Sequence, residues 1–164
     1  MAIRVMLAPG DVFARDFRVI RVLSQGGMGA LYVVEQLSTG CERALKLMLP
    51  SLVHHQALRR RFELEAQASA RIASDHVVQV IAAGIDDASG SPWLAMELLD
   101  GMELNEMVDA KGGRLTQPVT REVLAQLCHA LAAAHEAGIV HRDLKPENIF
   151  IARGRRKGDK GEGR

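Results

Sequence analysis

A chain of 164 residues with 48% hydrophobic and 25% charged side chains has the composition of a globular protein able to bury one ordinary core. Its net charge of +1 argues neither for nor against nucleic acid or acidic lipid as a partner. No apolar run approaches the roughly 18 residues of a spanning helix, which excludes a helical membrane segment here, and with only 4% aromatic residues the core is expected to be filled by Leu, Val, Ala and Met.

Met1 to Pro9 is too short in apolar residues for a secretory signal, and residues 1–14 read as a ragged N-terminal extension. From Phe17 to Leu23 the pattern is strand-like, and after a glycine cluster it resumes from Leu31 to Val34. Ser38-Thr39-Gly40 signals a turn, and Cys41 to Leu49 alternates again. Three antiparallel strands joined by tight turns fit these residues. Pro50-Ser51 breaks the run, and a helical segment is expected to follow as far as Ala73. Val77 to Ile81 and Trp93 to Glu97 read as two further strands, with Asp86 to Pro92 as the hairpin loop between them.

Leu104 to Val108 fits a short helix. Thr116-Gln117-Pro118 opens a longer one, with Thr116 as candidate cap and Pro118 tolerated in the first turn. Val123, Leu124, Leu127, Leu131 and Ala134 give it one apolar face, and Gly138 ends it. Five strands with one helix inserted after the third, then helices, make an α+β arrangement rather than an alternating βαβ one.

The segment Ser24 to Ala30 holds Gly26, Gly27 and Gly29 between two strands, where bare backbone can approach phosphate oxygens. A strand follows the loop, which disfavours a P-loop or dinucleotide fold, since both need a helix there. Alone, the cluster reads equally well as a glycine-rich hairpin turn. Lys46 ends the third strand. On the next helix Leu58, Phe62, Glu65, Ser69 and Ile72 share one stripe, which sets Glu65 amid an apolar face. A buried carboxylate needs a cation, and Lys46 is the natural partner; a partly exposed Glu65 is the alternative.

The remaining polar residues read more plainly. Cys41 and Cys128 are far apart and lack ligand-like spacing with histidines, as expected of a reduced, cytoplasmic protein with two free thiols. His54, His55 and His76 have no ligand-spaced partners, and His129 and His135 sit on the long helix as surface or packing residues. Arg59-Arg60-Arg61 reads as a solvated helix face and residues 153–164 as a basic, flexible tail.

The run His141-Arg142-Asp143-Leu144-Lys145-Pro146-Glu147-Asn148 resembles the catalytic loop of protein kinases, in the form found in serine/threonine enzymes. With the Gly-Gly-Met-Gly cluster, Lys46, Glu65 and the segment Met96 to Gly101, it makes five spaced elements in order over about residues 15 to 152. The chain is therefore similar to a bacterial-type serine/threonine protein kinase domain. Ser24 at the first glycine position and Leu31 in place of the usual valine are mild departures.

The resemblance implies a kinase N-lobe at 15–96, a hinge at 97–101 and a partial C-lobe at 102–152. It implies ATP and Mg²⁺ as cofactors, and ATP and a protein bearing Ser or Thr as partners, with no nucleic acid. Asp143 would align the substrate hydroxyl, Lys145 would neutralise charge on the γ-phosphate, and Asn148 would ligate Mg²⁺. Lys46 would hold the α- and β-phosphates, oriented by Glu65. Met96 would be the gatekeeper. Backbone groups of Glu97 and Leu99 would meet the adenine edge, and Leu23, Leu31 and Ala44 would line the purine pocket.

Beyond Asn148, Ile149 to Ala152 fits a strand, and relatives then continue to an Asp-Phe-Gly element. Here Asp159-Lys160-Gly161 only echoes it, with lysine in place of the packing phenylalanine. The expectation is a truncated domain, inactive alone, with its long helix face exposed to a partner. A pseudokinase-like nucleotide-binding or interaction module is the alternative, and a shifted reading frame a third.

Overall fold

Side chains alternate between two faces from Gly29 to Gln36 and from Cys41 to Met48, and these paired runs build the centre of an antiparallel sheet. The structure is a computed structural model describing residues 6–26, 29–48, 60, 64, 71–87 and 89–153. The expected helix before Ala73, with Glu65, lies outside the described residues apart from Arg60, Leu64 and its last few positions, as do Gly27 and the tail from residue 154.

Six strands form the main sheet: β1 (Val12–Phe13), β2 (Phe17–Gly26), β3 (Gly29–Gln36), β4 (Cys41–Met48), β5 (Val80–Ile85) and β6 (Pro92–Glu97). Their order is β1-β2-β3-β4-β6-β5, with every neighbouring pair antiparallel. One strand more than expected is present, because Val12 and Phe13 pair with Arg18 and Phe17. Two residues are too short a run for alternation to reveal. Two helices follow, α1 (Leu104–Ala110) and α2 (Gln117–Glu136), and a second, two-stranded ladder joins β7 (Gly101–Glu103) to β8 (Phe150–Ala152).

Each face of the sheet has its own set of side chains. Tyr32, Val34, Leu45, Leu47 and Ala95 occupy one face and pack with Phe13, Phe17 and Val19. Leu31, Val33, Ala44, Lys46, Leu94 and Met96 alternate onto the other. Tyr32, Leu45 and Ala95 are wholly buried.

The buried residues are mainly Val, Ala, Leu and Met, as expected, and the first face adds an aromatic cluster to them. Phe13 and Phe17 meet the Trp93 ring edge-on, at centroid distances of 6.0 and 5.4 Å. The few aromatic residues are concentrated rather than dispersed. Leu7 also packs on this cluster, so part of the presumed ragged extension lies against the core.

Helix α2 begins after Thr116, whose hydroxyl makes no cap bond, and carries Pro118 in its first turn. Its last turn closes through Gly138, at φ 74°, with the Ile139 N–H donating to the Ala134 carbonyl at 2.8 Å. Only Ala134 of α2 is buried, and Leu124 is 54% exposed. The His129 ring on α2 faces the His76 ring, which precedes β5, at 5.8 Å. No described helix is long and apolar enough to cross a membrane.

Candidate functional site

The β3–β4–β6 register brings the expected purine-lining residues together. Leu31 pairs with Lys46, Ala44 with Met96, and Lys46 with Leu94. Ala44 is buried and Lys46 half-buried, on the face opposite the aromatic cluster. Leu23 is 38% exposed on β2, at the irregularity between Val22 and Ser24.

The glycine-rich hairpin closes through pairing of Gly26 with Gly29. These two glycines serve different ends. A side chain on Gly29 would run into the Leu47 carbonyl, so its bareness admits the neighbouring strand. Gly26 faces open space within 4 Å, which leaves its backbone approachable from outside.

After β6 the chain passes through Leu98 and Leu99, both half-buried. Glu97 is fixed at both ends. Its N–H donates to the Gln79 carbonyl at 3.0 Å, and its carboxylate accepts from the Gln79 N–H at 2.8 Å. Gln79 was not singled out from sequence, since it read as an ordinary polar position of the strand Val77 to Ile81; the strand in fact starts at Val80, which leaves the Gln79 backbone to pair with Glu97.

The β7–β8 ladder carries the loop from His141 to Asn148 to this segment. Gly101 pairs with Ala152, Met102 with Ile151 and Glu103 with Phe150. Gly101 has φ 155°, and a Cβ there would strike the Ile151 carbonyl, with a Phe150 ring atom at 2.9 Å. Leu104 N–H donates to the Ile149 carbonyl and Arg153 N–H to the Asp100 carbonyl, each at 2.8 Å. Segments some 50 residues apart in sequence are thereby held side by side.

Within the loop, a 3₁₀ turn spans Pro146–Asn148. The Asn148 Nδ2 donates to the Asp143 carbonyl at 2.7 Å and to Asp143 Oδ2 at 3.1 Å. Lys145 Nζ lies 3.3 Å from the same carboxylate oxygen. Asp143 N–H reaches His141 Nδ1 at 3.4 Å, which ties the exposed His141 to the loop backbone. Arg142 takes φ 62°, a left-handed conformation uncommon for a non-glycine residue. Nothing in the letters announces it.

All eight loop residues are exposed, so the Lys145–Asp143 pair is screened by water and contributes about 1 kcal/mol at most. What the loop offers is orientation. Asp143, Lys145 and Asn148 converge on one point, and with Nδ2 committed to Asp143 the amide oxygen is the atom of Asn148 left for a hard cation. Among the described residues no group of three His, Cys, Asp or Glu gathers as a metal cage.

These features define a class. The protein kinase domain family matches residues 17–158, and the chain belongs to that family. The chain is 42% identical over 138 residues to serine/threonine-protein kinase Pkn1 of Myxococcus xanthus, covering 84% of this chain and 19% of that protein. It is 35% identical over 142 residues to the probable serine/threonine-protein kinase PknB of Corynebacterium glutamicum, covering 85% of this chain and 22% of that protein. The solved PknI kinase domain of Mycobacterium tuberculosis matches with a TM-score of 0.76 at 31% identity, over 90% of this chain and 59% of that one. The chain thus spans about a fifth of the length of these curated relatives. Its fold is the α+β protein kinase fold, with an antiparallel N-lobe sheet.

Proposed function

We propose that the chain is the nucleotide-holding part of a serine/threonine protein kinase, acting in transfer of the ATP γ-phosphate to a protein hydroxyl. The observation that carries this reading is the bracing of Asp143 by Asn148 and Lys145 beside the segment leading out of β6. Leu23, Leu31, Ala44 and Met96 would enclose the purine. The Leu99 backbone would meet the adenine edge, joined by the Glu97 carbonyl, since the Glu97 N–H is donated to Gln79. Gly26, Gly27 and Gly29 would lie over the phosphates, and Lys46, oriented by Glu65, would hold them.

Asn148 would hold Mg²⁺ through its amide oxygen, and the ion would neutralise charge on the phosphate oxygens. Asp143 would align the attacking hydroxyl and receive its proton as the new P–O bond forms and ADP leaves. Lys145 would offset charge on the transferred phosphoryl group.

The domain bounds proposed above, with the sheet as N-lobe, 97–101 as hinge and 102–152 as part of the C-lobe, follow from the same reading, as does a cytoplasmic setting. Residues 1–164 contain no Asp-Phe-Gly element and no activation loop. A polypeptide of these residues alone is therefore expected to bind ATP weakly and to transfer phosphate negligibly. A second reading, a non-catalytic module that binds a protein partner, is favoured by the exposed face of α2, where Leu115, Leu124, Ala125 and Cys128 line a shallow apolar groove.

Mg²⁺-dependent transfer of radiolabel from ATP to the chain or to a generic protein substrate separates the two. Transfer abolished by Asp143→Asn supports the enzyme and sinks the module; a folded chain that binds no ATP supports the module, and ATP binding without transfer is the result expected of the kinase reading for residues 1–164 alone.

A further inference from the structure

The Gln25 side-chain amide donates to the Met6 thioether at 3.1 Å. Gln25 stands directly before Gly26, on the leading arm of the glycine-rich hairpin, and Met6 is the first described residue of the chain. Between these points residues 6–13 run antiparallel to β2 and are fixed along their length. Leu7 packs on the buried cluster, and its N–H donates to the Tyr32 hydroxyl at 3.3 Å. Ala8 N–H donates to the Asp11 carboxylate at 2.8 Å. Gly10 N–H donates to the Val19 carbonyl and Val19 N–H to the Asp11 carbonyl, each at 2.8 Å. β1 then completes the pairing against Phe17 and Arg18.

The two ends of this segment differ in kind. Phe17, Val19 and Tyr32, on which it rests, are at most 2% exposed. The hairpin arm it reaches is exposed from Ile20 to Gly26, and its pairing with β3 is interrupted between Val19 and Arg21 and again between Val22 and Ser24. An arm with broken pairing and no buried side chain has little to hold it. One tether from an anchored neighbour therefore has leverage on it.

We propose that residues 6–13 form a strap that positions the leading arm of the glycine-rich hairpin, with Met6 and Gln25 as positioning residues. The tether follows from the contacts above; its consequence for nucleotide affinity rests on the reading given under Proposed function. Ser24, standing where the family pattern has glycine, adds to the same restraint by removing backbone freedom.

The test uses the full chain and two readouts: amide hydrogen exchange over Val22 to Gly26 without nucleotide, and titration with a fluorescent ATP analogue in Mg²⁺. Met6→Leu removes the acceptor while keeping an apolar side chain, Gln25→Ala removes the donor, and Met6→Gln supplies a new acceptor. Met6→Leu and Gln25→Ala are each expected to speed exchange in the arm about two- to fivefold, the effect of one modest hydrogen bond, and to weaken nucleotide binding by a similar factor. Exchange in β4 should not change, Met6→Gln should restore both readouts, and the Met6→Leu/Gln25→Ala pair should be no worse than either alone.

Unchanged exchange in Met6→Leu, or additive effects in the pair, would overturn the strap. Faster exchange with unchanged affinity in a chain that binds nucleotide would overturn its positioning role. If the parent chain takes up no nucleotide while exchange responds as expected, the strap stands and the nucleotide reading falls.

Discussion

Asn148 grips Asp143 twice, through its backbone carbonyl at 2.7 Å and its carboxylate at 3.1 Å. The one amide thus sets both where the Asp143 backbone runs and where its carboxylate points. Asn148→Ala removes both bonds and the oxygen proposed to hold Mg²⁺. At this exposed site the loss of fold stability should be about 1 kcal/mol or less. The loss of Mg²⁺-dependent enhancement of ATP binding should be complete. Titration of ATP with and without Mg²⁺ checks it, and an unchanged enhancement would remove Asn148 from the metal site.

The Lys145–Asp143 pair should matter little for folding. Both side chains are about half exposed, so Lys145→Met is expected to shift urea stability by about 0.5 kcal/mol or less. A loss above about 2 kcal/mol would mean that the pair holds the loop together, contrary to a role in transfer chemistry.

Gly101 is expected to be the most sensitive glycine of the described residues. Gly101→Ala forces a side chain into a φ that alanine resists and against the Ile151 carbonyl, for a loss of about 2–4 kcal/mol. Gly40, at φ 67° with open space around it, supplies the contrast: its alanine variant should lose only about 1 kcal/mol. Equal losses in chemical denaturation would contradict the close approach of β7 to β8.

Acid should loosen the turn between β3 and β4. The Ser38 hydroxyl, then the Ser38 N–H and the Gln36 amide, hold the Asp16 carboxyl below its ordinary value of 3.8. The stabilisation is therefore present above pH 3.8 and is lost as pH falls through the lowered value. Asp16→Asn should flatten that part of the stability-against-pH curve. A variant that loses stability as steeply as the parent below pH 3.8 would assign the acid sensitivity elsewhere.

Much of this was legible in the letters, and for a physical reason. Alternation of Tyr32 and Val34 against Leu45 and Leu47 is a local pattern, and so is the stop at Gly138. The loop from His141 to Asn148 carries its chemistry in consecutive residues. What stayed hidden depends on partners distant in sequence. Val12–Phe13 is a strand only because Phe17 and Arg18 pair with it. Gly101 stood out only as the end of the expected hinge, yet its bareness answers to Ile151. Phe13, Phe17 and Trp93 meet only once the sheet is assembled, so their clustering beside a mainly aliphatic core left no mark on composition. The left-handed Arg142 leaves no mark on composition.

The most direct test of the proposed nucleotide site is equilibrium binding of ATP to the chain, with and without Mg²⁺, alongside Lys46→Met and Asp143→Asn. Saturable binding that strengthens with Mg²⁺ and is lost in Lys46→Met, while Asp143→Asn retains it, is the result expected of a nucleotide held between β4 and the loop. A folded chain that binds no ATP, or binds it equally well as Lys46→Met, would contradict the account.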